Sequence, residues 1–148
     1  MKKLVLFIAF LLLAGSVASA QTERYVITFS GWGRLEVKPR VVGVSSYDYT
    51  VSEVDIHRWR KTDGELILDK EYKRLTLRLS RKEIDYALLT DSYVHQSKDG
   101  WSYVEHQALE NDRTYCRVWI CTHEDGTRQI LVLYPTVVQG YKITPAES

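Results

Sequence analysis

The stretch Tyr115–Tyr134, YCRVWICTHEDGTRQILVLY, decides the fold. It is the most clearly patterned part of the chain. Two strand-like runs flank Asp125-Gly126. An Asp-Gly pair between such runs marks a hairpin, because a type I′ turn needs positive φ at both central residues. With a two-residue turn, Cys116, Val118, Ile120, Leu131 and Leu133 share one uncharged face that belongs on a core. The other face carries Tyr115, Arg117, Trp119, Cys121, Arg128, Ile130, Val132 and Tyr134, a mixed aromatic and arginine surface. One extra residue at Gly126 would slip the pairing and exchange the two faces for one strand.

Working outward, Tyr72–Leu79 is the cleanest alternation, with Leu75, Leu77 and Leu79 inward and Arg74, Thr76 and Arg78 outward. Val54–Lys61 also alternates. Asp63-Gly64 then reads as a second hairpin turn, with Glu65–Asp69 as the partner strand. Arg24–Ser30 is a strand interrupted by Gly31-Trp32-Gly33, and Pro39 cannot donate to a ladder, so positions 24–45 read as edge material. Position 136–143, broken by Gly140, reads the same way. Asp99-Gly100 is a third turn signal, joining residues 92–96 to a strand over Trp101–Leu109.

The period changes once. Ser80-Arg81-Lys82-Glu83 fits a capping box, and Ile84, Ala87 and Leu88 follow at helical spacing. That predicts one short helix over about 81–90. The fold class is therefore α+β, mostly antiparallel β. About eight short strands form a curled sheet, a partial barrel or a sandwich, with that one helix.

The first twenty residues read as a signal peptide: Lys2 and Lys3, the apolar run Leu4–Leu13, and a small-residue cleavage site at Ala18-Ser19-Ala20. Ten apolar residues are short of the roughly 20 a bilayer span needs, so no integral membrane segment is expected after cleavage. The remaining chain, 148 − 20 = 128 residues, is one domain, 21–148. Its 18 basic and 19 acidic residues give no general argument for nucleic acid. The expected destination is periplasmic or secreted.

In an oxidising compartment the two cysteines matter. In one extended strand Cys116 and Cys121 lie about 17 Å apart with side chains on opposite faces, and a disulfide needs less than about 7 Å. No intrachain bridge is expected. Cys116 reads as a buried hydrophobe and Cys121 as the more available thiol.

Four constellations carry chemistry. His95 and His106 fall diagonally on one face if Asp99-Gly100 is a two-residue turn, with His95 opposite Val104 and Tyr93 opposite His106. Two ligands fall short of a catalytic zinc set, so no metal is assigned. Cys121, His123 and Asp125 resemble a thiol beside an imidazole, but no glycine-rich stretch supplies an oxyanion hole. Arg58, Arg60 and Lys61, with Arg74 and Arg78, form a basic group beside Glu65, Asp69 and Glu71. The fourth is aromatic: Tyr115, Trp119 and Tyr134 with Arg117 and Arg128, joined by Tyr93, Trp101 and Tyr103 near the third turn. No motif specifies a reaction and no cofactor is implied. The residues point to an exported, non-enzymatic protein that recognises a partner protein or a glycan through those eight side chains. A barrel-like carrier of a small apolar ligand and a small cysteine- or metal-dependent hydrolase are the alternatives.

Overall fold

Period-two alternation runs along nearly the whole chain, and it builds strands. The computed structural model describes residues 21–41, 47–89, 93–96 and 100–146, with the backbone alone at 35–41, 47–55, 57 and 93–96. Among the described residues are nine strands and no helix. These are β1 (Thr22–Val41), β2 (Tyr47–Asp69), β3 (Arg74–Leu79), β4 (Lys82–Leu88), β5 (Tyr93–Gln96), β6 (Trp101–Glu110), β7 (Thr114–His123), β8 (Arg128–Leu133) and β9 (Val137–Pro145). Eight of them form one antiparallel ring in the order β4-β3-β2-β1-β9-β8-β7-β6, which closes where β4 pairs with β6. β5 lies beside β6 further along.

The antiparallel, curled sheet matches the sequence reading; the helix does not. Residues 82–88 are strand β4, whose Ile84, Tyr86 and Leu88 alternate and point inward. Tyr86 stands opposite Leu75, and Ile84 opposite Leu77. The apolar residues fit periods of both 3.6 and 2, and pairing with β3 across a two-residue turn at Ser80-Arg81 settles it. Tertiary context overrides a local capping signal.

The edge assignments are also corrected. Over residues 25–34 β1 is central, flanked by β2 and β9, while residues 35–41 pair with β2 alone, and β9 lies between β1 and β8. Asp63-Gly64 is not a turn, because β2 runs straight through it. Gly64 is there for close approach: a Cβ would lie 2.9 Å from the Arg78 carbonyl oxygen and 2.9 Å from Leu79. The β1–β2 register shifts between Ile27 and Phe29, between Ser30 and Trp32, and between Glu36 and Val37. Such bulges bend and twist a strand, which lets two strands this long coil around the ring.

The ring interior is filled. Ile27, Leu66, Leu75, Leu77, Tyr86, Val118 and Val132 are fully buried there, with Cys116, Ile130 and Tyr141 beside them.

The closing seam is short, Tyr86–Leu88 against Ala108–Glu110. A reciprocal clip reinforces it. The Asn111 N–H donates to the Asp85 carbonyl at 2.6 Å, and the Asp85 N–H donates to Asn111 Oδ1 at 3.0 Å. Asn111 and Asp112 have φ of 50° and 58°, a conformation Asn and Asp tolerate better than most residues. Arg74 pairs with Asp85 and lies 3.7 Å from Asp112.

Candidate binding face on the outer side of the ring

The decisive detail is the turn between β7 and β8. Val118 stands opposite Val132 and Ile120 opposite Ile130, one residue away from the register a two-residue Asp125-Gly126 turn gives. The loop is Glu124-Asp125-Gly126, with the His123 N–H donating to the Thr127 carbonyl and Gly126 at φ 93°. The extra residue turns β8 over. Ile130 and Val132 enter the ring core, and Leu131 and Leu133 go outside. β7 keeps its expected faces, with Cys116, Val118 and Ile120 inside and Arg117, Trp119 and Cys121 outside.

That flip divides the eight candidate residues. Arg128 and Tyr134 do not join Trp119 on the outer face. Arg128 hydrogen-bonds the Tyr25 hydroxyl, its guanidinium 5.5 Å from that ring's centre, and Tyr25 belongs to the ring core. The Tyr134 hydroxyl donates to Glu110 at 2.8 Å while its ring packs against the same core.

Six candidates remain on one side of the β6–β7 pair. Trp101 is opposite His123, Tyr103 opposite Cys121, Glu105 opposite Trp119, and Gln107 opposite Arg117. Position 93 stands opposite Glu105 and so shares that side. The Tyr103 and Trp119 rings stack, 4.1 Å between centres and 20° between planes. The Trp101 and His123 rings meet edge-on at 4.9 Å. Glu105 ties the ladder together, accepting from Trp119 Nε1 at 2.9 Å and from Arg117 at 3.1 Å. Burial, with the Glu105 charge adding to it, raises the Tyr103 phenol above its ordinary pKa. Trp119 is only 7% exposed, so it forms the base of the face, whereas Tyr115 is 54% exposed and stands free of it. Below the ladder lies a second apolar cluster, Cys121, Leu131, Leu133 and Val138, against which Ile56, Trp101 and Tyr103 pack.

The other constellations are not assembled. His95 stands opposite Tyr103 rather than Val104, so positions 95 and 106 fall on opposite sides of the sheet. Among the described residues no three His, Cys, Asp or Glu side chains group as metal ligands. Cys121 is buried, not available, and burial pushes its thiol up to about 12. A nucleophilic cysteine needs the opposite shift. Its neighbour His123 lies 3.1 Å from Asp125, which also accepts from the Thr127 N–H. Arg74 and Arg78 pair with acids, including Glu65 and Glu83.

Four residues outside the expected set also shape the outer surface. Glu105 organises the ladder. Phe29, Trp59 and Lys142 form a group across β1, β2 and β9, with the Lys142 ammonium 4.5 Å from the Trp59 ring centre and 5.6 Å from that of Phe29. Their sequence signal is two glycines far apart in the chain, Gly31 and Gly140, which the register sets opposite each other. Compared with protein families, with curated proteins and with solved structures, the chain matches none.

Proposed function

We propose that this is an exported, non-enzymatic binding protein that recognises a partner protein or a glycan through the outer face of β6 and β7. The observation that carries this reading is the ladder of Tyr103, Glu105, Arg117 and Trp119, stacked and hydrogen-bonded into one array, with Trp101 edge-on to His123 on the same side. Aromatic and arginine side chains dominate the energetics of recognition surfaces. Holding them rigid before binding removes an ordering cost of about 0.5–1.5 kcal/mol per side chain. Tyr103 and Trp119 supply the base, and Tyr115, Arg117 and Trp101 supply the contacts. Export rests on the N-terminal sequence pattern, and the protonated, buried thiols support the non-enzymatic reading.

The test is a thermal-shift screen against oligosaccharides, followed by affinity capture from the envelope fraction, with a Tyr115→Ser/Arg117→Gln variant run in parallel. A ligand at 100 times its dissociation constant stabilises by about 2.7 kcal/mol, several degrees for a domain of this size. The reading expects a ligand or partner held by the parent protein and lost from the variant. Equal binding by both would remove this face from consideration.

A further inference from the structure

The apolar filling of the ring gives way to a polar group at one end, the end that carries the β6–β7 and β8–β9 turns. Glu110 closes β6 there and stands opposite Tyr86, whose ring is in the core, so the two share the inner side. The Tyr134 hydroxyl donates to Glu110 at 2.8 Å, and the Tyr141 hydroxyl donates to Gln139 at 3.1 Å. Trp32 stands opposite Gln139, and Gln139 opposite the buried Val132, so these also lie on the inner side. Trp32 is 50% exposed, and Glu110, Tyr134 and Gln139 are half-buried, so this end meets solvent. The mouth of a β-barrel is a favoured place for a ligand site.

Two groups there lack the partner that chemistry calls for. Among the described residues the Tyr86 hydroxyl is the one buried side-chain oxygen or nitrogen without a hydrogen bond, on a residue with no exposed surface. Tyr134 is its neighbour, but that hydroxyl gives its proton to Glu110. Burial, then Tyr134, push the Tyr86 phenol far above its ordinary pKa, so it stays neutral. Buried polar groups almost always have a partner. The second group is Glu110, which has no ion pair among the described residues. Arg113 meets it through the backbone, its N–H donating to the Glu110 carbonyl at 3.0 Å. The cations around this end, Arg34, Arg60, Arg81, Lys82 and Arg113, are all exposed, where water and salt screen them.

Tyr134 and Tyr141 already spend their protons within the group. What it offers a guest is mostly acceptors: the second carboxylate oxygen of Glu110 and the lone pairs of the tyrosine hydroxyls. Around them stand aromatic faces, which attract a cation. A guest rich in N–H donors and carrying positive charge fits both features.

We infer that this end of the ring binds a small primary alkylammonium ion, with Glu110 as its counter-ion, the Tyr86 hydroxyl accepting one of its N–H bonds, and its alkyl stem against Trp32. The site lies inside the ring and does not depend on the outer face of β6 and β7.

The experiment is calorimetric titration of the purified protein with n-butylammonium and with n-butanol, its uncharged counterpart, alongside thermal melting. The inference expects the ammonium to bind and the alcohol not to. Glu110→Gln keeps the shape and an acceptor for Tyr134, and should weaken the ammonium by about tenfold or more, as loss of a partly buried charge partner does. Tyr86→Phe removes one oxygen and should weaken it about fivefold. That variant should melt no lower than the parent without ligand, because the oxygen has no hydrogen bond to lose. Tyr115→Ser/Arg117→Gln should bind the ammonium normally, which separates this site from the outer face. No heat with n-butylammonium at millimolar concentration, equal binding of n-butanol, full affinity in Glu110→Gln, or a lower melting temperature in Tyr86→Phe would each overturn the inference.

Discussion

Gly31 stands directly opposite Gly140 across the β1–β9 pair, and the Trp59 indole lies over both. A Cβ at Gly140 would fall 2.6 Å from Ile56 Cδ1 and 2.9 Å from Trp59 Cη2. A Cβ at Gly31 would fall 2.8 Å from Ile56 Cγ2 and 3.1 Å from Trp59 Cε3. Both glycines are there for close approach, and together they seat one large ring against the sheet. Gly140→Ala should therefore destabilise by about 1–3 kcal/mol through overpacking. It should also lift the indole off its seat, read as a red shift in tryptophan emission alongside urea unfolding. Parental stability and emission would contradict this packing.

Glu105 holds the ladder through a nearly buried donor. Removing the carboxylate leaves Trp119 Nε1 without its acceptor at a site 7% exposed. Glu105→Ala should cost about 1–3 kcal/mol, the usual penalty for an orphaned buried donor. Glu105→Gln keeps an oxygen for the indole and loses only the charge facing Arg117. A partly exposed ion pair contributes about 0–1 kcal/mol, so Gln should be much milder than Ala in urea unfolding. Equal losses would mean that the ion pair, not the indole bond, matters.

Much of this was legible in the residues. Leu75 and Leu77 on β3, and Cys116 and Val118 on β7, alternate clearly enough to place both strands and their inner faces. Antiparallel pairing and a curled sheet followed from that alternation and from the aromatic, β-branched composition. Three features were not legible, each for a physical reason. Gly126 supports both a two-residue and a three-residue hairpin loop, and the choice turns over every side chain of β8. Ile84, Ala87 and Leu88 suit a helix, while Ile84, Tyr86 and Leu88 suit a strand; only the partner β3 decides. Asp63-Gly64 carries the chemistry of a turn, yet its glycine serves close packing against Arg78 and Leu79, a contact no local pattern records.

The ring is closed by three residue pairs, the hydrogen bond from the Leu89 N–H to the Gln107 carbonyl and one clip, so the seam should be its weakest join. Asn111→Gly keeps the positive φ and removes the oxygen that accepts from the Asp85 N–H. The expected loss is about 1 kcal/mol, with faster hydrogen exchange at residues 85–88 and 108–110 than elsewhere in the sheet. Uniform loss of protection around the ring would contradict a local seam.

Alkaline pH should unfold the protein through its buried thiols. The ordinary value is 9.0, and burial raises Cys116 to about 11 and Cys121 to about 12. Tyr25 and Tyr141 rise from 10.0 to about 12, also chiefly by burial. Below pH 9 all four are protonated in both states and their contribution is complete. Above it the unfolded chain releases protons first, so stability falls as pH rises, until the folded groups ionise near 12. Urea unfolding at about pH 8 and about pH 10.5 should show the decline, and Cys121→Ala should make it shallower. An unchanged slope in that variant would mean the thiol is not buried as described.

The turn between β7 and β8 decides which of the eight candidate residues share the outer face. The most direct measurement is the set of cross-strand backbone contacts in that hairpin, observed by NMR. The three-residue turn predicts Val118 opposite Val132 and Ile120 opposite Ile130. It leaves Trp119 and Arg117 outside, with Arg128 and Tyr134 turned to the core. Contacts of Val118 with Leu133 and of Ile120 with Leu131 would mean a two-residue turn. They would return Arg128 and Tyr134 to the outer side beside Trp119 and contradict the division of the candidate residues described above.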